Sequence, residues 1–220
     1  MRGWIGVIVL TMLAAGGGDD GVGQQPVADI ERSVMIELPP PDMAGGATLT
    51  EAMATRRSVR DFRDQLLESA ELSQLLWATQ GITSATGQRT APSAGGLYPL
   101  EVYLVTASGS YHYLPATHHL RLLSDADLRP DLAVAALSQE SVEQAPAVVV
   151  IAAVFARTAE RYGDRAERYV HMEAGHAAQN LLLQAAALHL GAVPVGAFDD
   201  HEVADVLGLP VDHDPLYLIP

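Results

Sequence analysis

Hydrophobic and polar positions alternate with different periods along this chain, and each change of period marks an element. Thr50 precedes a short helical stretch through Ala54, which it can cap. Ser69 can cap a second helix, in which Leu72, Leu75, Leu76 and Ala78 share one face and Gly81 makes the stop. Leu100–Thr106 alternates as a strand does, and Ser110–Leu114 and His118–Leu123 read as a hairpin across Pro115-Ala116-Thr117. Asp125 or Asp127 starts a helix through about Leu137. The continuous apolar run Ala147–Phe155 predicts a central strand covered on both faces. The longest element is a helix from about Arg165 to Leu190, closed by Gly191. From Ala174 onward it is apolar nearly all round, which places it in a large core or a subunit interface. A short strand Ala192–Gly196, a helix capped by Asp199 or Asp200 and ending near Gly208, and a strand Leu216–Ile219 complete the series. Strands and helices mix without regular alternation, so the expected class is α+β, and no internal repeat is visible.

Ahead of these elements, Arg2 precedes an apolar run from Gly3 to Ala15 and then small residues to Gly18. The run is short for a membrane span and has the charged and apolar regions of a signal peptide, with cleavage expected after Gly16 or Gly18. An uncleaved anchor and a mis-assigned start codon are the alternatives. The three place the protein outside the cytoplasm (periplasmic or secreted), on the membrane, or in the cytoplasm. Residues 1–18 are thus read as leader or anchor, 19–46 as flexible linker with its Pro39-Pro40-Pro41 run, and 47–220 as the folded domain. Gly18, Gly21 and Gly23 have no strand before them and no helix after them, so they read as linker and not as a dinucleotide fingerprint.

Composition narrows the chemistry. A chain of 220 residues, 49% of them apolar, can build one sizeable core. The absence of cysteine excludes disulfides, thiolate metal sites and thiol nucleophiles. All 13 basic residues are arginine, which excludes a lysine Schiff base and a P-loop lysine. The net charge of -14 keeps the chain soluble and repels nucleic acid and anionic lipid. Against that background Arg56, Arg57, Arg60 and Arg63 stand close together.

Three segments carry candidate chemistry. The first is Arg56-Arg57-Ser58-Val59-Arg60, whose forked donors and hydroxyl suit a phosphomonoester; by itself it equally describes a surface arginine run. The second is Pro92-Ser93-Ala94-Gly95-Gly96, directly before a strand. Its glycines let a planar ligand or a phosphate approach the backbone, and an ordinary tight turn has the same pattern. In the third, Pro194-Val195-Gly196-Ala197, a buried helix has just ended and small residues leave backbone N–H groups open.

Taken in order, the three segments resemble the nitroreductase family, most closely its SagB/ThcOx-like, azoline-oxidase-like branch. Further likeness lies in Leu38-Pro39-Pro40-Pro41, Leu75-Leu76-Trp77-Ala78, Tyr169-Val170-His171-Met172-Glu173-Ala174-Gly175-His176 and Pro215 to Pro220, so that it covers about Ile36 to Pro220. The resemblance implies a central antiparallel or mixed sheet surrounded by helices, and an obligate homodimer with FMN at the interface. Arg56, Arg57, Ser58 and Arg60 would hold its phosphate and ribityl chain. Pro92, Ser93, Ala94 and Gly95 would come from the other subunit. Pro194, Val195, Gly196 and Ala197 would lie over the ring, with backbone amides near N5 and O4. The helix around Gln179 and Asn180 would form the dimer core. Two departures stand out. Relatives continue past the last strand with glycine and a basic residue where this chain stops at Pro220. Related azoline oxidases also use a Lys-Tyr pair, and this chain has no lysine.

The implied activity is hydride transfer through flavin between NADH or NADPH and a small organic substrate. No side chain is required as proton donor, and Tyr98, Tyr162 and Tyr169 are the candidates if one is used. A non-catalytic flavin-binding protein and a peptide azoline dehydrogenase are the alternatives. Metal binding is not expected. His171 and His176 point about 140° apart on a helix, and Glu173-x-x-His176 is one step where a di-iron site needs two.

Overall fold

The structure, a computed structural model, describes residues 34–220. The leader expected at residues 1–18 and the first part of the linker lie outside the described residues.

The sheet is built from its middle. Strand β2 (Leu100–Thr106) and strand β5 (Ala147–Ala153) pair antiparallel along their whole length, from Leu100 opposite Ala153 to Thr106 opposite Ala147. Alternation sends Val102, Leu104, Val149 and Ile151 into one core and Tyr103, Val105, Val148 and Val150 into the other, so both faces are covered, as the apolar run of β5 demands. Strands β3 (Gly109–Leu114) and β4 (His119–Ser124) form the expected hairpin beside β2. Strand β6 (Asp214–Ile219) lies beside β5, and β1 (Met35–Glu37) beside β4, giving the antiparallel order β1-β4-β3-β2-β5-β6. Strand β1 was expected within the 19–46 linker. Ladder bonds to β4 and burial of Leu38 order it, and the prolines that follow, lacking N–H donors, end it.

Helices α1 (Leu49–Thr55) and α2 (Ser69–Gln80) and the 22-residue α6 (Ala166–Ala187) pack together, and α2 and α6 cover the first core. Helices α3 (Arg129–Ala135), α4 (Glu140–Gln144) and α7 (Asp200–Leu207) cover the second. Helix α5 (Phe155–Tyr162) lies on α6. Neither α4 nor α5 was expected from the sequence, and Gly163, at φ 53°, separates α5 from α6. The class is α+β, as read from the element pattern.

Several ends differ from expectation. Helix α1 is capped by Thr48 and not Thr50: the Glu51 amide donates to the Thr48 hydroxyl (3.2 Å) and the Thr48 amide to the Glu51 carboxylate (2.8 Å). Helix α2 begins after Glu68, whose amide donates to Glu71 (2.7 Å). Asp127 precedes α3 and accepts from the Arg129 amide and guanidinium, and the helix stops early because Leu137 and Ser138 turn left-handed. Helix α6 is closed by His189 and not Gly191. His189 sits at φ 61°, and the Leu190 amide reaches back to the Ala185 carbonyl (2.8 Å), which completes a Schellman closure. Segment Ala192–Gly196 is not a strand. It makes single bridges, Ala192 with Ser58 and Val195 with Leu218.

The cap assignment is tested by unfolding: Thr48→Ala should cost about 1 kcal/mol, whereas Thr50→Ala, on the exposed face of α1, should change denaturant stability by less than about 0.5 kcal/mol.

Candidate functional site

The first and third sequence segments meet. Ser58 bridges Ala192 in parallel, and the Val59 amide donates to the Ala192 carbonyl (3.1 Å). Gly191 makes this contact possible, since a Cβ there would lie 2.7 Å from Val59 Cγ1. Arg57 turns back to the end of α1, donating to the carbonyls of Ala54 (3.0 Å) and Arg56 (2.8 Å). Arg56 and Arg60 have no carboxylate or hydrogen-bond acceptor partner among the described residues, and Ser58 is exposed beside them.

In the third segment Pro194 has no N–H, and Val195 is locked to Leu218 by bonds of 2.8 and 3.0 Å. The Val195 amide is therefore spent on the fold, not free as expected. Gly196 and Ala197 are exposed with amides unpaired among the described residues, and Gln139 Nε2 fixes the Ala197 carbonyl (2.8 Å). A Cβ on Gly196 would meet nothing within 4 Å, so a flat ligand can lie against this backbone. Beside the first segment opens a cavity of about 1190 Å³, walled by Arg56, Arg57, Arg63, Ala186, Leu190 and Ala192 among others. Of the expected site residues only Arg56 and Arg57 line it; Ser58, Arg60, residues 92–95 and residues 194–197 do not.

The second segment lies elsewhere. Ala94–Gly96 is a single 3-10 turn with Gly95 at φ 64° and Gly96 at φ 66°, conformations that L side chains rarely adopt. Pro92 is exposed; the Ser93 hydroxyl accepts from the Tyr98 amide (2.9 Å), closing the turn. The turn feeds β2 at Leu100, and the Val154 amide donates to the Pro99 carbonyl (2.8 Å) at the end of β5. The Ser58–Ala192 stitch lies instead by Pro220, whose carbonyl accepts from the Val193 amide (3.1 Å), past the Val149–Ile219 pair. Along the sheet the two ends are on the order of 15–20 Å apart at 3.3 Å per residue.

Beneath the glycine turn lies a polar cluster that sequence reasoning missed. Glu173, on α6, is 2% exposed. Burial pushes its carboxyl up to about 7, while a hydrogen bond from Ser93 and the charge of Arg89 hold it down in part. Arg89 stacks over Tyr98 (4.7 Å), donates to Gln80 Oε1 (2.9 Å), and is itself pushed down by burial. Glu173 Oε1 and Gln80 Nε2 have no protein partner among the described residues. The signal was present: Glu173 falls on the same stripe as Val170, Ala174 and Ala177, where an apolar residue belongs. On the neighbouring side Glu101 is half-buried, which would raise its carboxyl, yet His112 Nε2 (2.7 Å) and Arg157 (2.5 Å) bring it down to about 2. Arg121 donates to His112 Nδ1 (2.9 Å), so Nε2 carries the proton given to Glu101. Among the described residues no three His, Asp or Glu side chains gather as metal ligands.

Because the folded carboxyl of Glu173 titrates above an unfolded one, the native state binds its proton more tightly. Stability therefore falls as pH rises from about 4.5 to about 7. Glu173→Gln should raise the melting temperature at pH 8 and leave it nearly unchanged at pH 4, measured by calorimetry.

The nitroreductase family profile matches residues 53–220. A Methanocaldococcus jannaschii protein named as a nitroreductase is 43% identical over 178 residues, 78% of this chain and 89% of that protein. A crystal structure from Ralstonia eutropha JMP134, also named as a nitroreductase, superposes with a TM-score of 0.77 at 32% identity, covering 91% of this chain and 93% of that one. A Desulfovibrio desulfuricans protein solved in complex with FMN shares the fold, with a TM-score of 0.59 at 23% identity over 80% of this chain and 85% of that one. The chain belongs to the nitroreductase family and is, by that membership, an oxidoreductase.

Proposed function

We propose that the chain is an FMN-dependent oxidoreductase that works as a homodimer, close to the SagB/ThcOx-like branch of its family. The observation that carries this reading is the Ser58–Ala192 stitch. It joins the segment of Arg56 and Arg60, two guanidiniums without partners among the described residues, to the stretch that begins at Ala192 and runs on to the unpaired amides of Gly196 and Ala197. That donor set matches a molecule with a phosphomonoester at one end and a planar, acceptor-rich ring at the other. The FMN complex of the Desulfovibrio relative supports the choice of flavin mononucleotide.

FMN, when bound, would supply two-electron chemistry between NADH or NADPH and a small organic acceptor. The chain's own residues do the rest. Arg56 and Arg60 grip the phosphate, with Ser58 adding a hydroxyl. Gly196 and Ala197 donate amides to the ring edge, where negative charge develops on reduction. Arg57 shapes the end of α1, so its part is to position Arg56.

The homodimer rests on two observations. Within one chain the glycine turn, residues Pro92 to Gly95, stands at the opposite end of the sheet from Arg56 and Arg60; a second copy can bring the two ends together. The α6 face bearing Leu183, Ala186 and Ala187 is left half-buried, and Met172 on the same helix is 49% exposed. Apolar helix surface of that kind is what a subunit interface covers. The apolar leader supports export of the protein.

The full chain should purify yellow, and anaerobic NADH or NADPH should bleach the flavin band; colour without bleaching by either donor would make it a flavin store and not an enzyme. In the Arg56→Ala/Arg60→Ala double variant the dimer should persist in gel filtration while the FMN dissociation constant rises more than about 100-fold, as expected for two lost charge-assisted contacts. Unchanged occupancy would remove the phosphate grip.

A further inference from the structure

A second cavity, of about 560 Å³, opens between the sheet and the start of α2. Its floor is made by Leu38, Leu104, Tyr111 and Leu120, all buried residues of the first core. Ile36, Leu67 and Leu72 extend the apolar lining. The flavin reading makes no use of this cavity. Leu66, Leu67, Leu72, Pro146 and Ala147 wall both it and the larger cavity beside Arg56, so the two adjoin.

The wall that carries Leu38, Pro39 and Pro40 is fixed from several sides. The Leu38 amide donates to the His118 carbonyl (3.3 Å), and the Pro39 carbonyl accepts from Ser73 Oγ (2.5 Å) and His118 Nε2 (3.0 Å). The Asp42 amide donates to Gln74 Oε1 (2.8 Å), and Gln74 Nε2 donates to the Asp42 carbonyl (3.3 Å). The stretch after β1 is thus pinned to α2 and to the turn before β4, which sets the shape of the cavity before a ligand arrives. Pro39 and Pro40 have no N–H, so this wall offers a ligand no donor. Hydroxyls gather instead at the β2–β3 turn. Ser108 Oγ stands 3.0 Å from Thr106 Oγ1 and 3.2 Å from the Tyr111 hydroxyl, and the Tyr111 hydroxyl also reaches the Ser108 carbonyl (3.2 Å). With Tyr111 donating to that carbonyl, the exposed Ser108 hydroxyl can turn its proton to a ligand. Glu37, itself exposed, is the one charged residue in the lining.

We propose that this cavity binds a neutral, largely apolar molecule carrying one carbonyl or hydroxyl oxygen, with its apolar body on the Leu38, Leu104 and Leu120 floor and its oxygen at the Thr106, Ser108 and Tyr111 hydroxyls. The inference does not depend on the flavin reading. Small-molecule sites run from roughly 300 to 1,000 Å³ and are mainly apolar, with a few placed polar groups. At roughly 30 Å³ for a group the size of a water or a methylene, a molecule of about eleven carbons fits with room to spare. The charge pattern selects against ions. A carboxylate would lose its hydration with no cation to meet it, beside Glu37 and in a chain carrying -14. A cation would find its one counter-charge at Glu37, outside the apolar floor.

Calorimetric titration of the full chain with undecan-2-one, and with undecanoate as its anionic counterpart, tests the site. The ketone should bind, and undecanoate should bind at least about tenfold more weakly. Nonan-2-one, two methylenes shorter, should also lose about tenfold. Ile36→Trp on the edge strand and Ser69→Trp at the exposed start of α2 each put an indole into the cavity. Both should weaken the ketone at least about tenfold with the melting temperature held; Ser69→Trp decides the matter if Ile36→Trp fails to fold. Ser108→Ala should weaken it about fivefold. Leu123→Trp, at an exposed position that lines neither cavity, should behave as wild type. No binding of the ketone, equal affinity for undecanoate or for nonan-2-one, wild-type affinity in Ser69→Trp or Ser108→Ala, or a loss in Leu123→Trp would each overturn the inference. So would a shift from dimer to monomer in gel filtration as ketone is added, which would assign the cavity to a second copy of the chain. None of these outcomes bears on the flavin reading, which is decided by FMN uptake.

Discussion

The antiparallel pairing of β2 with β5 is the constraint on which the other features depend. Seven consecutive pairs, buried from both sides, fix which residues end where. At one end they bring Pro99 to Val154, so the glycine turn before β2 and the helix after β5 are forced into contact. Gly95 therefore meets Arg161 and Tyr162, and Glu101 meets Arg157, although about 60 residues of chain separate the partners. At the other end β6 extends the same register, and Pro220 holds Val193 beside it. The loop leaving α6 is thereby laid against Val59, and the arginine segment is stitched to Ala192, a few residues before the open amides. One register thus sets the two proposed half-sites, the glycine turn and the arginine segment, at opposite ends of the sheet.

Electrostatics then decides which half-site residues are held and which are left available. In so acidic a chain carboxylates are abundant, yet Arg56 makes no ion pair among the described residues although Glu51, Asp61 and Glu71 wall the same cavity. Buried groups behave differently. Glu101 stays ionised because His112 and Arg157 surround it, and it works as a bolt between α5 and the sheet. Glu173 has only Ser93 and a more distant Arg89, so desolvation wins and its proton is held toward neutrality. The two acids differ in the number of donors within reach, and that difference places a rigid anchor on one side of the glycine turn and a protonation-sensitive one beneath it.

Much of this was legible in the residue pattern, within limits that have physical causes. Strands β2, β3, β4 and β5 were read almost to the residue because burial on both faces or on alternate faces imprints a period. Helix α5 was missed although Phe155, Ala159 and Tyr162 share one of its faces: it has only eight residues and follows the apolar run of β5 directly, so its first residue was read as the end of the strand. The end of α6 was assigned to Gly191 because glycine is the usual left-handed residue. His189 takes that conformation instead, and Gly191 is needed for its lack of a side chain against Val59. Among site residues, the arginines and glycines were visible as types, but their use was not. That Arg57 caps a helix, that the Val195 amide is consumed by Leu218, and that Ser58 touches Ala192 are facts of long-range pairing that no local spacing encodes. Glu173 was readable, as an acid on an apolar stripe, but was weighed only as a metal ligand.

The half-sites also bear on why α6 is as apolar as it is. A helix that served only this chain's core would need one buried stripe, and Ala166, Val170, Ala174, Ala177, Leu181 and Ala185 provide it. The further apolar positions, Leu183, Ala186, Ala187 and Leu190, are half-buried, and the last three wall the cavity beside Arg56. Leaving that surface in water costs roughly 25 cal/mol for each Å² that could be covered, a cost a solitary domain would avoid with polar substitutions. Its retention is accounted for if the same surface is covered by a second chain, and the separation of the half-sites asks for a second chain too. Under the proposed homodimer, two features with no local relation, an over-apolar helix and a divided set of candidate ligand donors, would share a single physical explanation in pairing across α6.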